Sequence, residues 1–403
     1  MPHRIAGSIL VVLLVAVSCA FCWYGVSTNR LAVKDTVFLK GHFTLLQPFA
    51  SAWLFRGSLS YYLDLDPQAA AADYRQAIAR QPLMIEAWLN LAKAELAAGR
   101  EGETRRILKT LSPFISHVST WKWQEFLLAR DLRDETLFAS IFNFILTRLP
   151  TRAKEASFVA RSFWGGSLAV LPHLVGPSQY RFFNELMEAK DSETALALWR
   201  NMESSATPPG RVLRLEFCQF LLEYGKVTDA KEIWASWRDD GGQTVYDCGF
   251  ELKPTNTGFG WKLLRTSDVL IERSVENPFE GKHSLHLRFL GLKNVAFNNV
   301  YQLTPVTPGK DYRLSFAFKS QGLSTDQGVF LEVSGYQCKG LNVQTKPVLG
   351  TTPWSKEEVT VSVPEGCEAA YLIVRRKESL MFDSKISGDY WLDVLELAEK
   401  HAQ

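Results

Sequence analysis

The sequence predicts a multidomain α plus β chain: a transmembrane helix, an α-solenoid of paired helices, and a C-terminal β-sandwich of jelly-roll type. Three observations predict it. An uncharged apolar run, Ile5 to Val26, opens the chain. From about Phe49 to Trp237 apolar residues recur with helical period and β-branched runs are few. Beyond Gly242 the period falls to two. The expected divisions are 1–30 for tail and signal anchor, 31–238 for the helical array, 239–245 for a linker and 246–398 for the sandwich.

As a helix the apolar run rises about 33 Å, enough to cross a hydrocarbon core. A signal anchor is favoured because the run exceeds the apolar core of a cleaved signal peptide. Two other readings compete. Ala16-Val17-Ser18 and Ser18-Cys19-Ala20 are small-residue cleavage candidates, and Cys19 is a loose match to an acylated lipoprotein cysteine. The flanking charge is nearly balanced, with His3 and Arg4 before the run and Arg30, Lys34 and Lys40 after it. No dense basic cluster follows. The expectation is a single-pass inner-membrane protein with its bulk periplasmic or extracytoplasmic.

Hydrophobic residues make up 46% and charged residues 22%, which suits folded domains. With 45 basic and 43 acidic residues and no basic stripe, nucleic acid is not an expected partner. Cys19 and Cys22 lie in the apolar run, and no Cys/His spacing suggests zinc. Cys338 and Cys367 share the β region. They form a disulfide if that region is periplasmic, with Cys248 as a competing partner and buried thiols as the alternative. No Walker A loop, G-x-S-x-G elbow or HExxH is present. His283 and His286 are three apart in a predicted strand and point to opposite faces. The chain is not expected to be an enzyme.

In the middle region Trp53, Trp88 and Trp123 recur at one constant interval. Ala52-Trp53-Leu54 aligns with Ala87-Trp88-Leu89, and Gly57 with Ala92. Small residues there let paired helices approach closely. Tyr74 and Ala77 share one face of a second helix, which Pro82 ends. Gly99 caps the next helix, and Trp164-Gly165-Gly166 interrupts the array. This pattern resembles the tetratricopeptide repeat. Trp53 and Gly57 match in register, and Tyr61, Tyr74, Ala77 and Pro82 match after one inserted residue. Trp88 and Leu91 match in a second unit whose last proline is displaced to Pro113. A third keeps Trp123 and Pro150, and later pairs such as 179–203 and 211–237 keep only the shape. The resemblance implies a concave surface for protein partners. The tryptophans are expected in the core.

In the β region HSLHLRF, YRLSFAF, GVFLEVSGY, EEVTVSV and AAYLIVRR read as strands, parted by turns such as Pro308-Gly309. Short signatures follow in order: Asp247-Cys248-Gly249-Phe250-Glu251, Gly260-Trp261, Gly281-Lys282-His283-Ser284, Pro308-Gly309-Lys310-Asp311-Tyr312, Trp354 and Tyr390-Trp391-Leu392-Asp393. The series resembles carbohydrate-binding modules of the galactose-binding-like superfamily. That resemblance implies a glycan ligand, with Phe259, Trp261, Tyr301, Tyr336 and Arg376 as candidate contacts. It also implies a structural calcium ion at Glu251 and Asp393, no cofactor being required otherwise. Trp354 and Trp391 are expected to be core residues of strands.

The architecture suggests a membrane-anchored envelope scaffold in polysaccharide assembly or export. It would hold protein partners by its helices and a glycan by its sandwich. The alternatives are a purely structural interaction scaffold and a carbohydrate-active hydrolase, the last requiring two carboxylates converging in a groove.

Overall fold

In the computed structural model the described residues are 2–205, 207–238, 242–382 and 384–400, with side chains from Val12 onward. Part of the expected linker, 239–241, lies outside them. The chain forms two compact units, Met1–Leu198 and Trp199–Gln403. Fourteen α-helices precede ten strands among the described residues. The helices are α1 (Pro2–Ala32), α2 (Thr36–Leu46), α3 (Ala50–Tyr62), α4 (Pro67–Arg80), α5 (Ile85–Ala97), α6 (Glu101–Ile115) and α7 (Ser119–Asp131). Then come α8 (Glu135–Arg148), α9 (Ala153–Trp164), α10 (Ser167–Val170), α11 (Pro177–Glu188), α12 (Ser192–Glu203), α13 (Arg211–Glu223) and α14 (Val227–Ala235).

In the first unit, α1 over Val12–Ala32 is long and apolar enough to cross a membrane, a test that a signal sequence also passes. Helices α3 to α6 pack in succession. Gly57 is required by that packing. A Cβ on it would come within 2.7 Å of the Tyr74 ring and 3.2 Å of the Ala70 carbonyl oxygen. The first two tryptophans repeat one hydrogen bond. Trp53 Nε1–H donates to the Gln47 carbonyl and Trp88 Nε1–H to the Pro82 carbonyl, both at 2.8 Å. Trp123 instead lies under the Arg152 guanidinium, 5.1 Å from its ring centre. All three rings are half-buried rather than core residues. Fully buried Glu95 is held between Arg75 and Arg100, which offsets the cost of burying its charge. Gly99, at φ +77°, closes α5, and left-handed Gly165 closes α9.

The second unit contains α13, α14 and the strands. These are β1 (Lys262–Leu263), β2 (Val269–Ser274), β3 (Ser284–Leu290), β4 (Phe297–Pro305) and β5 (Asp311–Leu323). They continue as β6 (Phe330–Gly335), β7 (Asn342–Gln344), β8 (Gly350–Ser362), β9 (Ala369–Arg376) and β10 (Ser387–Glu399). Two five-stranded sheets result, in the orders β1-β4-β9-β6-β7 and β2-β3-β10-β5-β8. Every pairing between these strands is antiparallel. This is the expected β-sandwich. Alternation explains its core: Leu285, Leu287 and Phe289 of β3 meet Val300 of β4, Leu331 and Val333 of β6, and Leu372 and Val374 of β9. Cys338 and Cys367 form a disulfide with Cα atoms 5.4 Å apart, while the Cys248 thiol stays outside it and donates to Gln243 Oε1 at 3.0 Å.

Candidate functional site

The core positions of the first sheet dictate what its other face carries. Val300, Ala370, Leu372, Val374, Leu331 and Val333 point inward. With a period of two, Tyr301, Tyr371, Ile373, Arg375, Glu332 and Ser334 therefore point outward. Strand register aligns Lys262, Tyr301, Ile373, Glu332 and Gln344 in one row across all five strands. The Tyr301 and Tyr371 rings meet edge to face at 5.9 Å, and Tyr336 meets Tyr371 at 5.5 Å. All three rings are partly exposed.

Beside them a polar ladder crosses three strands. Arg375 Nη1 lies 2.5 Å from Glu332 Oε1, Gln344 Nε2 donates to Glu332 Oε2 at 2.8 Å, and Lys377 Nζ donates to Gln344 Oε1 at 3.1 Å. Arg375 is about a third exposed. The face thus offers partly exposed tyrosine rings beside the Arg375 guanidinium, with the Glu332 carboxylate buried and paired beneath it.

One end of this face is covered by the unit's own helices. The Tyr336 hydroxyl donates to the Leu222 carbonyl of α13 at 2.5 Å, and Gly258 N–H donates to Gln219 Oε1 at 3.0 Å. Lys262 Nζ lies 5.5 Å over the Tyr301 ring and donates to the Gly258 carbonyl at 3.2 Å. Burial lowers its pKa and pushes the nearby Cys218 thiol up to about 12. The Arg375–Glu332–Gln344 end carries no hydrogen bond to these helices among those described.

Of the five candidate contacts, the face gathers Tyr301 and Tyr336. The other three are buried. Phe259 is 2% exposed because the Trp234 ring of α14 packs edge-on against it at 5.9 Å. Trp261 lies in the sandwich core against Phe250, and its Nε1–H donates to the Asp247 carbonyl at 3.1 Å. Arg376 is 1% exposed and spends its guanidinium on the carbonyls of Gln327, Val295 and Ser384 and on Asn294 Oδ1, joining four chain segments. Tyr371, Glu332 and Arg375 went unnamed as contacts, although the alternation in AAYLIVRR and GVFLEVSGY carries them. Trp354 departs from expectation, and Trp391 does so in position only. Trp391 is buried as expected, but against His286 and not in the cluster between the sheets, and Trp354 is partly exposed with its Nε1–H donating to the Asn277 carbonyl.

Glu251 and Asp393 line one cavity of about 390 Å³, together with Asp247. Their oxygens are already engaged. Asp393 accepts N–H bonds from Phe279, Glu280 and Val394 at 2.9, 3.1 and 2.8 Å. Glu251 accepts from the Lys282 and His283 backbones at 2.6 and 3.1 Å, and His283 Nδ1 lies 3.0 Å from its other oxygen. Burial raises the pKa of Asp393 and pushes Asp247 up to about 6. Glu251 also feels burial, but the bonds from His283 and Lys282 bring its pKa below the usual value. Among the described residues no group of three or more His, Cys, Asp or Glu side chains is placed to hold a metal ion. Calcium favours six or more oxygens, and this N–H-filled arrangement does not fit it.

No family model matches the chain, and no curated protein matches it. Solved structures do resemble it. The CBM22-1 xylan-binding domain from Paenibacillus barcinonensis Xyn10C is 18% identical, over 38% of this chain and 93% of that one, with a TM-score of 0.29. TmCBM61, solved in complex with beta-1,4-galactotriose, is 14% identical over 40% of this chain and 100% of that one, with a TM-score of 0.28. At these identities and scores the likeness says nothing about what this chain binds.

Proposed function

We propose that the chain is a membrane-anchored, non-catalytic envelope scaffold whose sandwich binds a glycan on the outer face of the β1-β4-β9-β6-β7 sheet. The observation that carries this is the run of partly exposed Tyr301 and Tyr371 beside the Arg375–Glu332–Gln344 ladder. Sugar rings offer apolar C–H faces to aromatic side chains and hydroxyls to polar groups, and this face supplies the tyrosine rings and the part-exposed Arg375 guanidinium. The helical array serves a protein partner, and polysaccharide assembly or export is the process proposed for the whole. The proposal includes no resident calcium; backbone N–H groups on Asp393, and backbone N–H groups with the His283 ring on Glu251, support that reading.

The test is calorimetric titration of a polysaccharide panel into the full chain in detergent, with and without calcium. Saturable binding that weakens in Tyr371→Ala and Tyr301→Ala, in protein of unchanged circular dichroism, supports the reading. No heat from any polysaccharide would leave a purely structural scaffold. One observation favours that second reading: α13 already accepts the Tyr336 hydroxyl and covers one end of the face.

A further inference from the structure

Helix α1 does not leave the first unit as a free tether. Its last turns are built into a core of that unit. Leu31 is buried with Leu39 and Leu46 of α2 and Ala52 and Phe55 of α3, and Trp23, Phe38, Phe43 and Phe49 pack at the margin. Trp23 lies 5.9 Å from Phe38, and Tyr24 lies 5.6 Å from Phe49. Ser27 is fully buried. Before Trp23 the picture reverses: Val12, Leu13, Leu14, Val15, Val17 and Phe21 are each at least half exposed. The part of the run from Ile5 to Cys22 rises about 27 Å as a helix, close to the hydrocarbon thickness of a bilayer.

Helix α2 is apolar on two sides. Its sequence, TVFLKGHFTLL, contains no acidic residue. Leu39 and Leu46 face the core just described. Val37, Gly41 and Leu45 follow one another at i, i+4 and i+8, so they share another face. Val37 is 80% exposed and Leu45 61%. A helix whose one apolar face already meets a core and which exposes a second apolar stripe calls for a second apolar neighbour. Exposed Lys34 and Lys40 adjoin this stripe, and Arg30 is paired with Asp35 at 3.0 Å. Tryptophan, tyrosine and lysine at the end of an apolar helix are the residues of a membrane–water interface.

We propose that α2 lies in the headgroup layer of the bilayer that α1 enters, with Val37, Gly41 and Leu45 against lipid. The anchor is then a helical hairpin, not a lone helix. This rests on α1 being a membrane span. The test places a photoreactive side chain, one position at a time, at Leu14, Val37, Leu45 or Leu83 of the full chain in phosphatidylcholine–phosphatidylglycerol vesicles. Adducts are read by mass after illumination. Leu14 reports the span, and Leu83, an exposed apolar residue after α4, reports water. Phospholipid adducts at Leu14, Val37 and Leu45 but not at Leu83 are expected. Lipid at Leu14 alone, or protein adducts from a second copy or partner at Val37 and Leu45, overturns the interfacial helix and leaves the span intact. No lipid at Leu14 removes the span itself and the proposal with it.

Discussion

The two outer faces of the sandwich are built alike and end up different. Each carries a row of side chains set by strand register, with aromatic and charged members. On the β1-β4-β9-β6-β7 sheet the row is Lys262, Tyr301, Ile373, Glu332 and Gln344. On the other sheet it is Glu272, His286, Trp391 and Lys319. The second row is closed. His286 stacks on Trp391 at 4.6 Å and meets Glu272 through Nδ1 at 3.0 Å and Asp389 through Nε2 at 2.7 Å. Lys319 covers the same indole at 4.6 Å, and Arg288 Nε donates to Asp389 at 2.7 Å. Trp391 is 6% exposed. The first sheet keeps Tyr301 of its row, and Tyr371 of a neighbouring row, partly exposed. Ring exposure, more than aromatic content, separates a face able to take a ligand from one that merely closes the sheet.

The largest test of this contrast is the Cys338–Cys367 bond, which joins the chain after β6 to the approach to β9 on the open sheet. It closes a loop of 29 residues. Cross-linking such a loop stabilises by about 3 to 4 kcal/mol through the unfolded state. Paired Cys338→Ser and Cys367→Ser substitutions should speed amide exchange across β6, β7 and β9. Equal acceleration in β2 and β3 would mean that the two sheets open as one and that the faces are not separable.

A smaller effect separates the faces chemically. Trp391→Ala removes an indole packed between His286 and Lys319, and should cost about 3 kcal/mol of stability while leaving glycan affinity unchanged. Tyr371→Ala should do the reverse, costing about 1 kcal/mol of stability and weakening glycan binding about tenfold. Denaturant unfolding followed in the sandwich, alongside titration calorimetry, reads both. If Trp391→Ala weakens binding as much as Tyr371→Ala, the closed row takes part after all.

Much of the open face was legible in the alternation of its strands. In AAYLIVRR, Ala370, Leu372 and Val374 fall inward, so Tyr371 and Arg375 must fall outward. What misled was position without period. Phe259 and Trp261 lie in a turn-rich segment before β1, where no alternation assigns a face. Phe259 is buried by Trp234, a contact with a helix that no local pattern specifies. Arg376 ends its strand as a charged residue, and the carbonyls that receive it come from loops far apart in the chain. The N-terminal run was legible as apolar. Its division at Trp23 depended on aromatic partners in α2 and α3.

The smallest expected effect concerns the carboxylates of the Asp247–Glu251–Asp393 cavity, and its sign can be derived. Burial lifts Asp247 from 3.8 to about 6, so the folded state holds its proton more tightly than the unfolded state does. Stability therefore falls as pH rises from about 4 to about 6, and above that range the buried anion remains a cost. Asparagine keeps an oxygen for the Glu251 and Leu252 N–H groups, which now donate at 2.7 and 3.1 Å, and carries no charge. Asp247→Asn should match the parent near pH 4, diverge through pH 6, and exceed it at pH 8 by about 1 to 2 kcal/mol after allowance for solvent screening. Urea unfolding at the three pH values, without added metal, reads the difference. A variant less stable than its parent at pH 8, rescued in the parent by added calcium, would show that the ionised carboxylates serve a cation and that their N–H partners give way to it.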